Sequence, residues 1–286
     1  MSSPFQVTNC ASLAFKPKFT ASTQGKTSKA NGASLHVKLV PPHEGPQSTG
    51  TANASGTGST SGSTSGTPGN TSVAQTEESN IASVKVELPK QLPSRLTTLQ
   101  KACTSAQFDS DPAGCPSASV VASAKAITPI LPVPLEGPAY FVSHGNEAFP
   151  QLILVLQGYG ITIDLVGDTF ISKAGITSST FAHVPDAPVS SFELTLPEGK
   201  FSALAANANL CSVKGGLKMP TQFTAQNGAT LNQETHIEVT GCPKAKTAAQ
   251  LRAAKLAAAL KACHKKHGSK RSGCEKAARK KYKKKK

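Results

Sequence analysis

The 286-residue chain contains no tryptophan, and only 5% of its residues are aromatic. It has no Cys-x-x-Cys pair, which excludes zinc-ribbon and thioredoxin patterns. No apolar run approaches the length needed to cross a bilayer, the best being residues 152–156. The start, Met1-Ser-Ser-Pro-Phe-Gln-Val, has neither the basic residues nor the apolar stretch of a signal peptide. There is no Gly-x-Ser-x-Gly elbow, phosphate-binding glycine loop or dinucleotide fingerprint, and Gly215-Gly216 reads as a turn. Charge is also scarce, at 16%, below that of a typical disordered chain. Plentiful Gly, Pro, Ser and Thr remain, a composition that suits many short strands between turns.

The scarce charge is unevenly placed. Residues 243–286 hold 17 Lys/Arg against a single acid, Glu275, whereas residues 1–242 hold 14 Lys/Arg and 15 Asp/Glu. The net charge of +15 therefore belongs to the tail, and a basic-protein argument does not apply to the body.

Seven cysteines are present. Their spacing suggests three local pairs, Cys103–Cys115, Cys211–Cys242 and Cys263–Cys274, with Cys10 left over. Pairs of this kind point to an oxidising compartment, and hence to an extracellular or cell-surface protein. Export of a chain with this start implies that the sequence is a fragment or begins at a misassigned position.

Along the chain, residues 1–44 read as N-terminal strands, with period-two alternation in Leu35-His36-Val37-Lys38-Leu39. Residues 45–79 are Ser/Gly/Thr-rich, a composition expected to stay disordered as a loop or linker. Residues 80–242 read as a β body, with strands expected at 81–88, 119–127, 139–142, 151–157, 161–166, 177–183, 190–196, 217–225 and 230–239. Strands 35–40 and 81–88 are expected to pair across the long loop. Pro93-Ser94 can open a short helix, Gly158-Tyr159-Gly160 supplies a turn, and Asn227-Gly228 is a hairpin signal. The expected architecture is mainly β: one or two antiparallel, Ig-like β-sandwich units. In the tail, residues 243–286, the period changes. A helix capped by Thr247 and ended by Gly268, then a second from Ser272, would form a cationic hairpin tied by Cys263 and Cys274.

Several stretches carry a resemblance. They are Asn9-Cys10 with Phe15-Lys16-Pro17; Cys103-Thr104 with Ala106-Gln107-Phe108 and Cys115-Pro116; residues 132–134 with Gly137-Pro138-Ala139-Tyr140; Val184-Pro185-Asp186-Ala187-Pro188; and Asn209-Leu210-Cys211. With these the body resembles a family of large exported proteins of high-GC Gram-positive bacteria. The tail resembles a Lys-rich, two-cysteine appendage of exported proteins from such organisms. The resemblance implies a β-rich architecture and export, and implies no activity.

Candidate chemistry is thin outside the tail. Lys265, Lys266, Lys270, Arg271, Arg279, Lys280, Lys281, Lys283, Lys284, Lys285 and Lys286 make a dense positive field suited to a polyanion. Tyr282 is the tail's sole aromatic, so a base-stacking platform is not expected. Cys263, His264, His267 and Cys274 have ligand character, but a disulfide uses the same sulfurs and neighbouring lysines repel a cation. Asp109 with Asp111, or Asp164 with Asp168, lack the ligand count of a calcium loop. Ser143, His144 and Asp164 invite a hydrolase reading without an elbow to support it. His36, His183 and His236 fall on alternating strands as sheet-face residues.

The expectation is thus a non-catalytic, exported cell-surface or matrix protein, without metal or cofactor. Its tail would attach to anionic wall polymer or a membrane surface, and a β edge could take protein or glycan. The alternatives are a nucleic-acid-associated protein using the tail, and an enzyme whose site is invisible in one sequence.

Overall fold

Alternation along the body folds into strands close to the expected places. The computed structural model describes residues 13–41, 78–243, 247–265 and 267–282. The stretch expected to be disordered, 45–79, lies outside them except for Glu78 and Ser79, and so does Cys10. The chain forms two compact units, Met1–Gly241 and Cys242–Lys286.

Among the described residues, the first unit contains twelve strands: β1 (Lys18–Gln24), β2 (Leu35–Val40), β3 (Ile81–Glu87), β4 (Cys103–Thr104), β5 (Val120–Ile127), β6 (Leu135–Ser143), β7 (Gln151–Gly158), β8 (Ile161–Ile171), β9 (Thr177–Phe181), β10 (Ser191–Leu196), β11 (Leu217–Ala225) and β12 (Thr230–Thr240). They do not form sandwiches. Eleven of them run β6-β5-β10-β2-β1-β12-β11-β3-β9-β8-β7, and β7 pairs back onto β6, closing a single barrel. Closure satisfies the edge hydrogen bonds that an open sheet would expose.

Two pairings differ from expectation. Strands β2 and β3 are not partners; β2 lies between β1 and β10, and β3 between β11 and β9. The ring is also not wholly antiparallel, because β1 runs parallel to β12 with Ala21 opposite Ile237. The first strand among the described residues thus joins the last strand of the body. The turn signals act as expected. Tyr159 (φ 53°) and Gly160 (φ 74°) form the two-residue connection between β7 and β8, whose backbones demand the left-handed region. Asn227-Gly228 closes β11 onto β12, with Gly228 N–H donating to Ala225 O at 2.9 Å.

Outward faces carry polar side chains. Lys38, Glu193, Lys125 and Glu136 stand side by side on β2, β10, β5 and β6, an alternating charge row with contacts of 2.8 Å and 2.6 Å at its ends. Inward faces build one continuous apolar core that includes Val37, Leu154, Leu194 and Met219.

One end of the barrel is closed by side chains and loops. The short helix α1 (Leu96–Leu99) brings Leu99 beneath that end, where Leu92, Leu204 and Leu210 are also buried. Arg95 ties its own segment to two loops there: its guanidinium donates to Ala30 O (3.1 Å) on one and to Lys200 O (3.1 Å) and Gly199 O (3.2 Å) on the other. The buried Ser202 hydroxyl shares its proton between Ala33 O and Leu204 O.

A second, small core lies on the outside of the barrel. Helix α2 (Ser105–Ser110), capped by Thr104, lays Phe108 edge-on against Tyr140 at 5.5 Å over the outer face of β6 and β7. The Cys103–Cys115 disulfide fixes this flap. Desolvation raises the Tyr140 hydroxyl above its usual 10.0, with nearby Asp111 adding to the effect.

The second unit consists of α3 (Ala248–Cys263) and α4 (Gly268–Lys281). Thr247 opens α3 with a capping box: its side chain accepts from Gln250 N–H, and Gln250 Oε1 accepts from Thr247 N–H. Gly268, expected to end the first helix, is instead the first residue of the second, which begins four residues before Ser272.

Candidate functional site

The cationic hairpin has little to pack. Cys263 and Ala278 are its buried apolar residues among those described, and Leu251 is exposed. The Cys263–Cys274 disulfide, with Cα atoms 5.6 Å apart, ties α3 to α4 in place of a core. Both sulfurs are thereby withdrawn from metal binding, because ligation needs thiolate. Cys211 and Cys242 are disulfide-bonded as well, so six cysteines are oxidised. The setting is oxidising, and among the described residues no helix is long and apolar enough to cross a membrane.

Lys265, Lys270, Arg271, Arg279, Lys280 and Lys281 are all exposed, while Lys266, Lys283, Lys284, Lys285 and Lys286 lie outside the described residues. At 3.6 residues per turn, the cations of α4 fall on every side of the helix. The result is a positive cylinder with no single recognition face. Glu275 is neutralised locally: Arg271 Nε donates to its Oε1 at 2.9 Å and His264 Nε2 lies 3.4 Å away. Its hydrogen bond with Arg271, before all else, holds the carboxyl below its usual 4.5.

The hydrolase candidates separate. His144, on the loop between β6 and β7, leans on Glu147 at 3.9 Å, while Ser143 Oγ accepts the Gly145 N–H at 3.3 Å. Glu147 accepts the backbone N–H of His144 (2.6 Å) and Asn146 (3.2 Å), which keeps its carboxyl ionised below the usual 4.5. Its task is to close a loop. An open depression of about 430 Å³ does gather His144 and Glu147, but with Asp168, which holds Gln151 Nε2 at 2.8 Å, and not with Asp164. Partial burial pushes the Asp164 carboxyl above its usual 3.8. Asp111 caps the turn at Pro112–Gly114 by accepting Ala113 N–H, and Asp109 is exposed. His36 meets Thr195 Oγ1 at 2.9 Å on the outer face, and His183 and His236 are exposed. Among the described residues no group of three metal-ligating side chains converges.

The barrel interior is the feature the sequence reading missed. Eight strands enclose an interior that side chains just fill, and lumen width grows with strand number. Eleven strands leave more space, and here a cavity of about 280 Å³ remains. Leu39, Leu154, Leu165, Phe181, Phe192 and Met219 are among its lining residues. Left empty, such a space forgoes packing on the order of 5–7 kcal/mol at ~24 cal/mol per Å³. Among the described residues it reaches the surface at the end opposite Arg95, where Ile130 (65% exposed) and Ile161 line it. Tyr159, 69% exposed, stands at the same rim. The one sequence signal was β7, Gln151–Gly158, whose residues 152–156 are apolar on both faces. They serve two cores at once: Leu152, Leu154 and Leu156 inside, Ile153 and Val155 outside.

No family model and no curated protein matches the chain. Among solved structures, the Iho670 flagellar-like filament matches with 9% identity over 84% of this chain and 87% of that one. Its TM-score of 0.21 carries no argument about fold or function.

Proposed function

We propose that this is a non-catalytic exported protein of the cell surface or matrix, belonging to the exported β-rich proteins of high-GC Gram-positive bacteria that its sequence resembles. The tail attaches it to an anionic wall polymer or membrane surface. The observation that carries the reading is the segregation of charge: 17 Lys/Arg against Glu275 in residues 243–286, with a near-neutral remainder. Cations on every side of α4 suit a flexible, repeating polyanion, held through counterion release with little stereochemical choice. The six oxidised cysteines favour an extracellular setting over a cytosolic nucleic-acid partner.

The test is a pull-down of the full chain and of a 1–242 truncation on purified cell wall and on DNA, across a salt series. Wall binding that needs the tail and falls steeply with salt is expected. Wall binding retained by the truncation overturns the tail assignment. Equal affinity for DNA at every salt concentration reduces the tail to a generic polycation and removes the preference for a wall partner.

A further inference from the structure

We infer that the barrel lumen is a binding site for one apolar chain of an amphiphilic small molecule, entering between the β5–β6 and β7–β8 connections. Three observations converge on that occupant. The walls are apolar from Leu154 outward to Ile161, and the charged lining residue, Glu78, lies at the mouth, where its Oε2 faces Lys16 N–H. A carboxylate or ammonium drawn inside would find no counter-charge, so a charged head cannot follow the chain in. The opposite end is closed by Leu92, Leu99, Leu204 and Leu210, which makes the lumen a blind pocket and not a channel.

Size narrows the ligand. A dry apolar cavity of ~150 Å³ accepts one benzene, so about 280 Å³ takes a chain of roughly ten carbons. At the rim, exposed Ile130, Tyr159 and Ile161 give the chain an apolar path from water. Polar groups stand beside them for the head: Ser79 and Asn80 line the mouth, and Asn80 Nδ2 donates to Asp186 Oδ1 at 2.8 Å. The ligand is therefore a single-chain amphiphile whose head stays at the mouth, outside the apolar lumen.

The test uses the full chain with its disulfides intact. N-phenyl-1-naphthylamine fluorescence is titrated with protein, and 1-decanol is used as competitor. Saturable one-to-one binding is expected, displaced by 1-decanol, which also raises the thermal midpoint. Ala126→Phe puts a ring into the lumen from β5 and is expected to weaken binding at least tenfold; Ala126→Leu does the same more mildly should the phenylalanine not fold. Undiminished probe binding in a folded Ala126 variant places the dye elsewhere and overturns the assignment. So does an intact chain that binds neither compound. Binding that appears only after residues 1–12 are removed shows that the chain fills its own lumen, and that too overturns an external ligand.

Discussion

Arg95 fastens one end of the barrel. Its guanidinium reaches carbonyls on two loops, and its own N–H donates to Ala203 O at 2.7 Å. Charge-assisted bonds of this type are worth more than neutral ones, and removal leaves carbonyls of Ala30, Gly199 and Lys200 without that donor. Arg95→Ala is expected to lower stability by about 2–3 kcal/mol, or a thermal midpoint fall of roughly 4–12 °C. Arg95→Lys should recover less than half, because one ammonium cannot fan out to three carbonyls. A loss under about 0.5 kcal/mol for the alanine variant would show that the apolar plug alone holds this end.

The carboxylates of the body set its acid limb. Hydrogen bonding with Lys38 holds Glu193 below its usual 4.5, and backbone N–H groups do the same for Glu147. A carboxyl lowered in the folded state stabilises above its unfolded value and loses that contribution as pH falls through the folded one. Stability should therefore be flat near neutrality and decline below about pH 4.5. Glu193→Gln should flatten that decline while changing neutral stability by less than about 1 kcal/mol, as for exposed pairs generally. Asp164 has the opposite sign: burial raises it, so its ionised form opposes folding and protonation relieves the strain. Chemical denaturation from pH 3 to 7 on both the wild type and Glu193→Gln gives the slopes; identical slopes would remove Glu193 from the account.

At the scale of elements, strands with one apolar face, such as β2 and β11, were legible because side chains alternate, and the turns because left-handed backbone is chemically restrictive; the two-residue β4 carries too few positions to show any period. β11 lies where its alternation placed it, and Gly228 turns the chain where Asn-Gly predicts. What alternation cannot specify is the neighbour. A strand with one apolar face satisfies that face equally in a sandwich or a barrel, so β2 and β3 were assigned to each other when three strands separate them. The helical hairpin is the reverse case. Its helices were legible from Thr247 and the alanine spacing, while its stability rests on a covalent bond. Two helices of 16 and 14 residues with so little buried surface are marginal alone. A disulfide across 11 residues supplies roughly 2–3 kcal/mol. Cys274→Ser is expected to lose helical ellipticity at 222 nm with no change in the β signal, and full helicity in that variant would show that the hairpin needs no staple.

For the whole molecule, closure decides more than any strand does. The cavity exists because eleven strands meet in a ring, a relation carried by pairings such as Ala21 with Ile237 more than 200 residues apart, and no local window of sequence contains it. The charge division, by contrast, was visible from composition, and it leads to a claim about folding. The body completes its ring at Thr240 without the helices, and its core is built from residues up to Ile237. Removing residues 243–286 keeps all the strands and Cys242, and takes away about sixteen positive charges of self-repulsion. The unfolding free energy of the 1–242 chain is therefore expected to match that of the body in the full chain within about 0.5 kcal/mol, with an unchanged denaturant slope. A full chain that shows a separate, early loss of helix would agree with this. A truncated chain that loses cooperativity would instead make the hairpin part of the barrel's folding unit. Polyanion attachment would then alter body stability directly, since any ligand that binds only the folded form adds its binding free energy to that of folding.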